Sequence, residues 1–346
     1  MRQDVTFARH HRLMILIGAL GIALLMLVLL AIRPADGRAE RTFTVREYLL
    51  PHPGAFAHDP AVGKDGVVWF ADQVNSYIGR LDPETGKVQE YPTPTPGSGP
   101  HGIIVVPDGS VWYTGNAKGI IGHLDPKTGK ITEYPTGARD PHTPLWLGSK
   151  LWFTAQNANK YGALDPTTGS VKLYDALTPG SKPYGLQRAP DGSLWIALFG
   201  TNRLGHLDPA TAKLTEITLP ESGARPRRLA ITSDGRIWYS DYARGYLGMY
   251  DPRTKAAREW RAPSDSGKPN ESGNTYGIGV APDGAVWVND ARHGTMIRFD
   301  PATEHMESVL IPTRGSVVRN VTIDSTRSRL WIAESGVNRI GRIDLK

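Results

Sequence analysis

Seven tryptophans recur at nearly constant intervals, and this repeat restricts the fold more than any other feature of the sequence. Consecutive members are separated by 43, 40, 43, 43, 49 and 44 residues. Most follow a short apolar run that begins after an Asp-Gly turn, where glycine supplies the positive φ of a tight hairpin. A period of about 40 to 50 residues is typical of a β-propeller, in which each unit forms one four-stranded blade. The repeated tryptophans are Trp69, Trp112, Trp152, Trp195, Trp238, Trp287 and Trp331.

A second signature, IGRLD in the first unit, follows each tryptophan and leads in six units into an Asp-Pro turn and a further strand such as VQEYP. Each unit therefore predicts four short antiparallel strands. The seventh unit ends at IGRIDLK without its fourth strand, whereas FTVREYLLP, residues 43–51, resembles KVQEYPTP, residues 87–94. We predict an all-β, seven-bladed β-propeller over residues 42–346, with its ring closed by the N-terminal strand, which leaves no open sheet edge.

An uncharged apolar run precedes the repeats. Residues 13–32, LMILIGALGIALLMLVLLAI, are long enough as a helix to cross a bilayer, and the basic residues within 1–12 should stay in the cytoplasm. We expect 13–32 to be an uncleaved transmembrane signal anchor and 33–41 to be a linker. The propeller would then lie on the periplasmic or extracellular side of the membrane. A cleaved export signal is the alternative, and it delivers the propeller to the same side.

Charge and cysteine content exclude several classes of protein. The net charge is +6, but half of it lies in residues 1–41, beside the apolar run, and the rest is spread over the seven units. This distribution argues against a nucleic-acid partner. The chain has no cysteine, which excludes disulfides, thiolate catalysis and iron–sulfur clusters. We expect a monomer that binds a small-molecule or peptide-like ligand.

Functional chemistry in a propeller is expected where the repeat varies, at the mouth of the central channel. Counting back ten to twelve positions from each tryptophan reaches the predicted start of the innermost strand, where the residue type differs from unit to unit. We call these seven positions the ring residues and expect them to line the channel mouth. They are His58, His101, His142, Tyr184, Arg227, Tyr276 and Arg319.

Acidic residues are predicted to lie across from four ring residues. The position three residues after the tryptophan should return to the same mouth, because the second strand runs antiparallel to the first. Such pairs either perturb each other's pKa for function or keep buried charges paired, and the sequence leaves both readings open. The predicted pairs are His58 with Asp72, Arg227 with Asp241, Tyr276 with Asp290, and Arg319 with Glu334.

The repeated unit, seen in GPHGIIVVPDGSVWYT and YIGRLDPETGKVQEYPTP, resembles that of the streptogramin B lyases, the virginiamycin B lyase family, across residues 42–346. The resemblance implies a seven-bladed propeller with Mg²⁺ at the channel mouth. It also implies an antibiotic-resistance activity, in which a cyclic depsipeptide is opened at its ester by elimination. In that family one blade carries an acid two residues before a histidine, and a second acid shortly after the tryptophan.

The best match to that pattern is Asp140-Pro141-His142 with His101 on the preceding blade. The resemblance then implies that His142 is the general base, that His101 orients the substrate and that Asp140 is the magnesium carboxylate. The sequence departs from the family where the second acid would fall, at Ala155. The first blade carries His58 and Asp72, but it has Phe56 in place of the first acid.

Two hypotheses follow for the channel mouth. The first is a Mg²⁺-assisted carbon–oxygen lyase centred on His142, His101 and Asp140. The second is a non-catalytic propeller that binds a ligand or a partner protein at the same mouth. The residues expected to contact the bound molecule are His58, Asp72, Tyr184, Arg227, Tyr276 and Arg319. A further version makes His58, His101 and His142 a transition-metal site, because imidazole suits such metals.

Overall fold

The computed structural model describes residues 43–264 and 274–345, and in these residues the chain is all β apart from one short 3₁₀ helix, Gln156–Ala158. The strands form seven four-stranded antiparallel sheets. The innermost strands of successive sheets contact one another in a closed cycle. The predicted seven-bladed propeller is therefore confirmed.

Strand bounds follow the predicted repeat. Blade one consists of β2 (Ala57–Val62), β3 (Val68–Asp72), β4 (Tyr77–Leu81) and β5 (Val88–Pro92). Blade two has β6 (Pro100–Val105), β7 (Val111–Gly115), β8 (Ile120–Leu124) and β9 (Ile131–Pro135), and blade three has β10 (Pro141–Leu147), β11 (Lys150–Ala155), β12 (Lys160–Leu164) and β13 (Val171–Asp175). Blade four has β14 (Pro183–Arg188), β15 (Leu194–Leu198), β16 (Arg203–Asp208) and β17 (Lys213–Thr218).

The remaining blades are built in the same way. Blade five has β18 (Pro226–Ile231), β19 (Ile237–Asp241), β20 (Tyr246–Asp251) and β21 (Ala256–Arg261), and blade six has β22 (Thr275–Val280), β23 (Val286–Asp290), β24 (Thr295–Asp300) and β25 (His305–Leu310). Blade seven has β26 (Val318–Asp324), β27 (Arg329–Glu334) and β28 (Arg339–Asp344), and its outer strand is β1 (Thr44–Leu49).

The N-terminal strand closes the ring as predicted. β1 pairs antiparallel with β28 from Thr44 opposite Asp344 to Leu49 opposite Arg339. The backbone N–H of Leu50 donates to the carbonyl of Asn338 at 3.0 Å and extends this pairing beyond the strand. The last blade thus takes one strand from the start of the propeller and three from its end, which covers the edge that β28 would otherwise expose.

The predicted segments 1–12, 13–32 and 33–41 lie outside the described residues. In residues 43–264 and 274–345, no helix has the length and apolar character needed to cross a bilayer.

Packing between blades explains both repeated signatures. Trp69 is buried and packs with Ile103 and Tyr113 of the next blade. The glycine of the IG signature lies under the aromatic ring that follows the tryptophan, since a Cβ built on Gly122 would stand 2.0 Å from Tyr113. The repeated residues therefore form the core, and the positions that vary are left to line the channel.

Candidate functional site

The structure places all seven ring residues where the sequence predicted them, each as the second residue of an innermost strand. Neighbouring side chains are in contact around part of the ring. The ring centroids of His58 and His101 are 3.7 Å apart, those of His101 and His142 are 3.9 Å apart, and those of His142 and Tyr184 are 3.7 Å apart. The three histidines and Tyr184 thus form one continuous stack, in which every member is buried.

Hydrogen bonds between blades hold this stack in place. Thr114 Oγ1 on β7 donates to the carbonyl of His142 at 2.7 Å and accepts from the N–H of Gly102 at 3.0 Å. Thr154 Oγ1 on β11 donates in the same way to the carbonyl of Tyr184 at 2.6 Å. The side chain two residues after the tryptophan therefore links consecutive innermost strands. The sequence shows this position as the polar residue in WYT, WFT, WYS and WVN, but the prediction did not use it.

A buried ion pair crosses the channel directly beneath the ring residues. Arg228 on blade five donates to both carboxylate oxygens of Asp59 on blade one, at 2.7 and 3.0 Å. Nδ1 of His58 lies 2.9 Å from Oδ1 of Asp59. Burial alone would raise the pKa of Asp59, but Arg228 and His58 hold it well below its usual range. Asp59 is therefore an ionised carboxylate, and Arg228 binds both of its oxygens.

The sequence prediction did not include Asp59 and Arg228, which form the buried ion pair of the channel. Both occupy the position after a ring residue, where three other units have glycine. Glycine fits there because a Cβ on Gly102 would stand 2.2 Å from the carbonyl oxygen of His142. Asp59 also has φ of +28°, which is rare for a residue other than glycine. The sequence signal that could have revealed the pair is a charged residue at a position where other units have glycine.

The three histidines are neutral at physiological pH. Burial lowers the pKa of His58, His101 and His142, and the positive charge of Arg228 lowers each further. Nδ1 of His142 lies 3.2 Å from the hydroxyl of Thr143, whereas Nδ1 of His101 is buried without a hydrogen-bond partner in the described part of the chain. The stack is therefore uncharged, and the charges of the channel come from its arginines and Asp59.

The predicted pairing of ring residues with acids is wrong by one position. Asp72 stands opposite Ala57, not His58, and the other three acids are shifted in the same way. Because side chains alternate between faces along a strand, this shift turns the carboxylates away from the ring. Asp72 accepts hydrogen bonds from the N–H groups of Val74 and Asn75, at 3.0 and 2.9 Å, and so fixes the turn after β3.

Asp140 is likewise apart from the histidines. It has φ of +58° and lines an open groove of about 790 Å³ together with Asn116 and Asn157. Burial raises its pKa to about 6. In the described residues, no hydrogen bond or ion pair joins Asp140 to His101 or His142. Asp140 therefore lines this groove, whereas His101 and His142 are buried in the stack.

The residues present do not fit the magnesium ion that the resemblance implies. Mg²⁺ prefers oxygen ligands in octahedral geometry. The donor atoms of His58, Asp59 and His101 lie within 4.8 Å of one another, but two of the three donors are imidazoles. Arg228 already binds the one carboxylate, and Ala155, where the family's second acid would fall, is apolar and fully buried.

Aromatic rings enclose the cation on the opposite side of the mouth. The Cζ atom of Arg227 lies 4.0 Å from the ring centroid of Tyr276 and 4.3 Å from that of Tyr242. It is 4.7 Å from the rings of both Tyr184 and Phe199. Phe199 and Tyr242 come directly after the second strands of their blades, and neither belongs to the predicted ring residues. The mouth therefore has a histidine side and an arginine–aromatic side.

Fold and site together define a seven-bladed propeller whose channel mouth is lined by histidine, arginine and aromatic side chains. The model of the virginiamycin B lyase family matches residues 35–145. A solved streptogramin B lyase structure is 25% identical, covering 88% of this chain and 98% of its own, with a TM-score of 0.78. The predicted resemblance to the streptogramin B lyases is thus confirmed.

Solved structures of lower sequence identity share the fold. A catalytically inactive virginiamycin B lyase from Staphylococcus aureus, solved with quinupristin, is 22% identical, covering 88% of this chain and all of its own, with a TM-score of 0.79. The extracellular domain of a hybrid two-component system from B. thetaiotaomicron is 15% identical, covering 88% of this chain and 43% of its own, with a TM-score of 0.67. A comparison with curated proteins found no significant match.

Proposed function

We propose that this protein is a non-catalytic propeller that binds a ligand at the mouth of its channel. The observation that carries the proposal is that, in the described residues, Asp140 lines a groove that does not include His101 or His142 and makes no hydrogen bond or ion pair with either. Opening an ester by elimination needs a base together with a group that stabilises the developing negative charge. In the resemblance that group is a magnesium ion, and Asp59, the carboxylate beside His58, is already bound by Arg228 and is not free to hold one.

The sequence also supports a location for this function outside the cytoplasm, next to the membrane. The apolar run of residues 13–32 would anchor the chain in the membrane and hold the propeller on the periplasmic or extracellular side. A monomeric propeller in that position meets small molecules and peptide-like compounds before they reach the cytoplasm. The ligand-binding mouth is therefore the part of the molecule to test.

The test is incubation of the full-length protein with Mg²⁺ and quinupristin, followed by mass spectrometry of the products. We expect the cyclic compound to remain intact while an active streptogramin B lyase opens it in a parallel reaction. His142→Ala provides the matched control. Formation of a linear elimination product by the wild-type protein, lost in His142→Ala, contradicts the proposal.

A lyase is the second candidate, and one observation favours it. The family match over residues 35–145 includes His101, Asp140 and His142, the three residues that the resemblance assigns to the reaction. In such an enzyme His142 would remove the proton and His101 would orient the substrate. The same quinupristin experiment decides between the two functions.

A further inference from the structure

Two guanidinium groups at the channel mouth have no carboxylate partner. In residues 43–264 and 274–345, neither Arg227 nor Arg319 takes part in an ion pair, and Nε of each is buried without a hydrogen-bond partner. Charges that are partly withdrawn from water are commonly paired, since loss of hydration is costly to an ion. We propose that Arg227 and Arg319 form an anion-binding site that receives a carboxylate or phosphate group of the ligand.

The two arginines converge on one ring. The Cζ atom of Arg227 lies 4.0 Å from the centroid of Tyr276, and that of Arg319 lies 5.9 Å from the same centroid. The two Cζ atoms are therefore within about 10 Å of each other. Both side chains are partly exposed, unlike the buried ring residue Tyr276 between them. Both positive charges therefore act on an anion that enters the mouth, whichever guanidinium group it contacts directly.

Existing contacts position the arginines without neutralising them. Arg227 Nη2 donates to the hydroxyl of Tyr184 at 3.1 Å, and its guanidinium group is surrounded by aromatic rings. Arg319 lies over the ring of Phe56, with its Cζ atom 5.0 Å from the ring centroid. Cation–π contacts orient a guanidinium group but leave its charge in place. The side chains are therefore preorganised donors for a planar carboxylate or a phosphate.

The charges around the channel favour an anion over a metal cation. Arg228 is paired with Asp59, whereas Arg227 and Arg319 have no carboxylate partner in the described part of the chain, so their charges are uncompensated. Burial would raise the pKa of Tyr276, yet the surrounding arginines lower it overall. A divalent cation near His58 and His101 would experience the same positive field. The imidazole cluster is therefore a poorer candidate than the arginine pair.

The walls around the arginines limit the rest of the ligand. Phe56, Phe199 and Tyr242 border the two guanidinium groups and offer apolar and stacking surfaces. The inference rests on the proposed function, because it assigns a chemical class to the ligand of the same mouth. That class is a small molecule or peptide-like compound in which an anionic group is attached to an aromatic or apolar body.

The experiment is isothermal titration calorimetry of the full-length protein in detergent with benzoate, inorganic phosphate and neutral benzyl alcohol. We expect at least one anion to bind more weakly as salt is added, and benzyl alcohol to give no comparable heat. Benzoate and phosphate distinguish a carboxylate from a phosphate ligand. Arg319→Gln should weaken the anion at least about tenfold, because a charge-assisted hydrogen bond is lost. Arg319→Lys should retain part of the affinity.

The design also includes a matched control variant and a separate calorimetric titration of the wild-type protein with Zn²⁺. Arg188→Gln removes an exposed arginine at the far end of an innermost strand and should leave the affinity unchanged. Circular dichroism checks that each variant is folded. Failure of both anions to bind, or equal affinity in wild type and Arg319→Gln, overturns the inference. Zinc binding without anion binding also overturns it. Quinupristin turnover would overturn the proposed function instead, so the two failures are distinguishable.

Discussion

At the scale of single residues, the ion pair between Asp59 and Arg228 is the contact that most shapes the channel. It joins positions 169 residues apart on opposite sides of the ring, and both side chains are buried. The backbone of Asp59 is strained in this arrangement, since its φ is +28°. The buried carboxylate of Asp59 is stable because Arg228 donates to both of its oxygens. Removal of either residue leaves the charge of the other buried without a partner, which is destabilising.

Removal of one partner should therefore destabilise the protein strongly. We expect Arg228→Gln to lower the free energy of unfolding by about 3–5 kcal/mol, because Asp59 is then buried without its counter-ion. Urea unfolding followed by tryptophan fluorescence measures the change. Arg236→Gln, which affects an exposed pair with Asp234 and a longer contact with Asp251 at 4.0 Å, should cost at most about 1 kcal/mol. Equal losses in the two variants would show that the channel pair is not structurally important.

Sequence reasoning identified the ring residues but not this pair, and the reason is physical. The ring residues follow from a local count back from each tryptophan, which the repeat makes reliable. Asp59 and Arg228 meet only because blades one and five face each other across the channel. A pattern of neighbouring residues in the sequence does not show which blades face each other across the channel. Asp140 was assigned from its spacing to His142, but its left-handed backbone lies at the edge of a groove outside the histidine stack.

At the scale of the strand, the position of the acids depends on register. The sequence correctly placed Asp72, Asp241, Asp290 and Glu334 at the ends of second strands, but a one-residue difference in pairing moved them off the ring. The innermost strands carry a bulge after their first residues, and a count along the chain does not reveal it. Strand existence was therefore predictable, whereas the face of each carboxylate was not.

Glu334 shows what the shift means for the closing blade. It is completely buried on β27, and burial together with the negative charge of Glu47 raises its pKa to about 9. Glu47, on the N-terminal strand, accepts hydrogen bonds from the N–H and hydroxyl of Thr313 at 2.9 and 2.7 Å. Glu334 is therefore protonated at neutral pH, and it sits in the blade that closes the ring.

This raised pKa predicts a pH dependence of stability. Protonation of Glu334 favours the folded state fully below the ordinary pKa of about 4.5, and the contribution is lost as pH rises toward about 9. Glu334→Gln removes the titrating group, so at pH 8 it should be more stable than wild type by about 1–3 kcal/mol. The difference should disappear near pH 4. Thermal unfolding across this range measures it, with the exposed Glu84→Gln as control. A pH-independent difference would contradict the assignment.

At the scale of the whole molecule, the propeller is held together by its repeat and by one non-repeating event. Each blade packs its tryptophan against the next, so the seven-fold repeat predicts blade number and strand order without further information. Closure depends instead on a strand nearly three hundred residues from its partner. The sequence revealed it because FTVREYLLP has the pattern of an outer strand and the last unit lacks one.

Loss of the closing strand should destabilise all seven blades together. A chain that begins at His52 lacks β1 and with it the buried side chains of Tyr48 and Leu50, and it leaves β28 with an unpaired edge. Burial of each large apolar side chain contributes roughly 1.5–3 kcal/mol, so we expect a loss of about 3–6 kcal/mol and concentration-dependent association. Calorimetry and light scattering measure the two effects against a chain that begins at Phe43, which retains the whole strand. Closure by β1 would be energetically unimportant if both chains unfolded at the same temperature and remained monomeric.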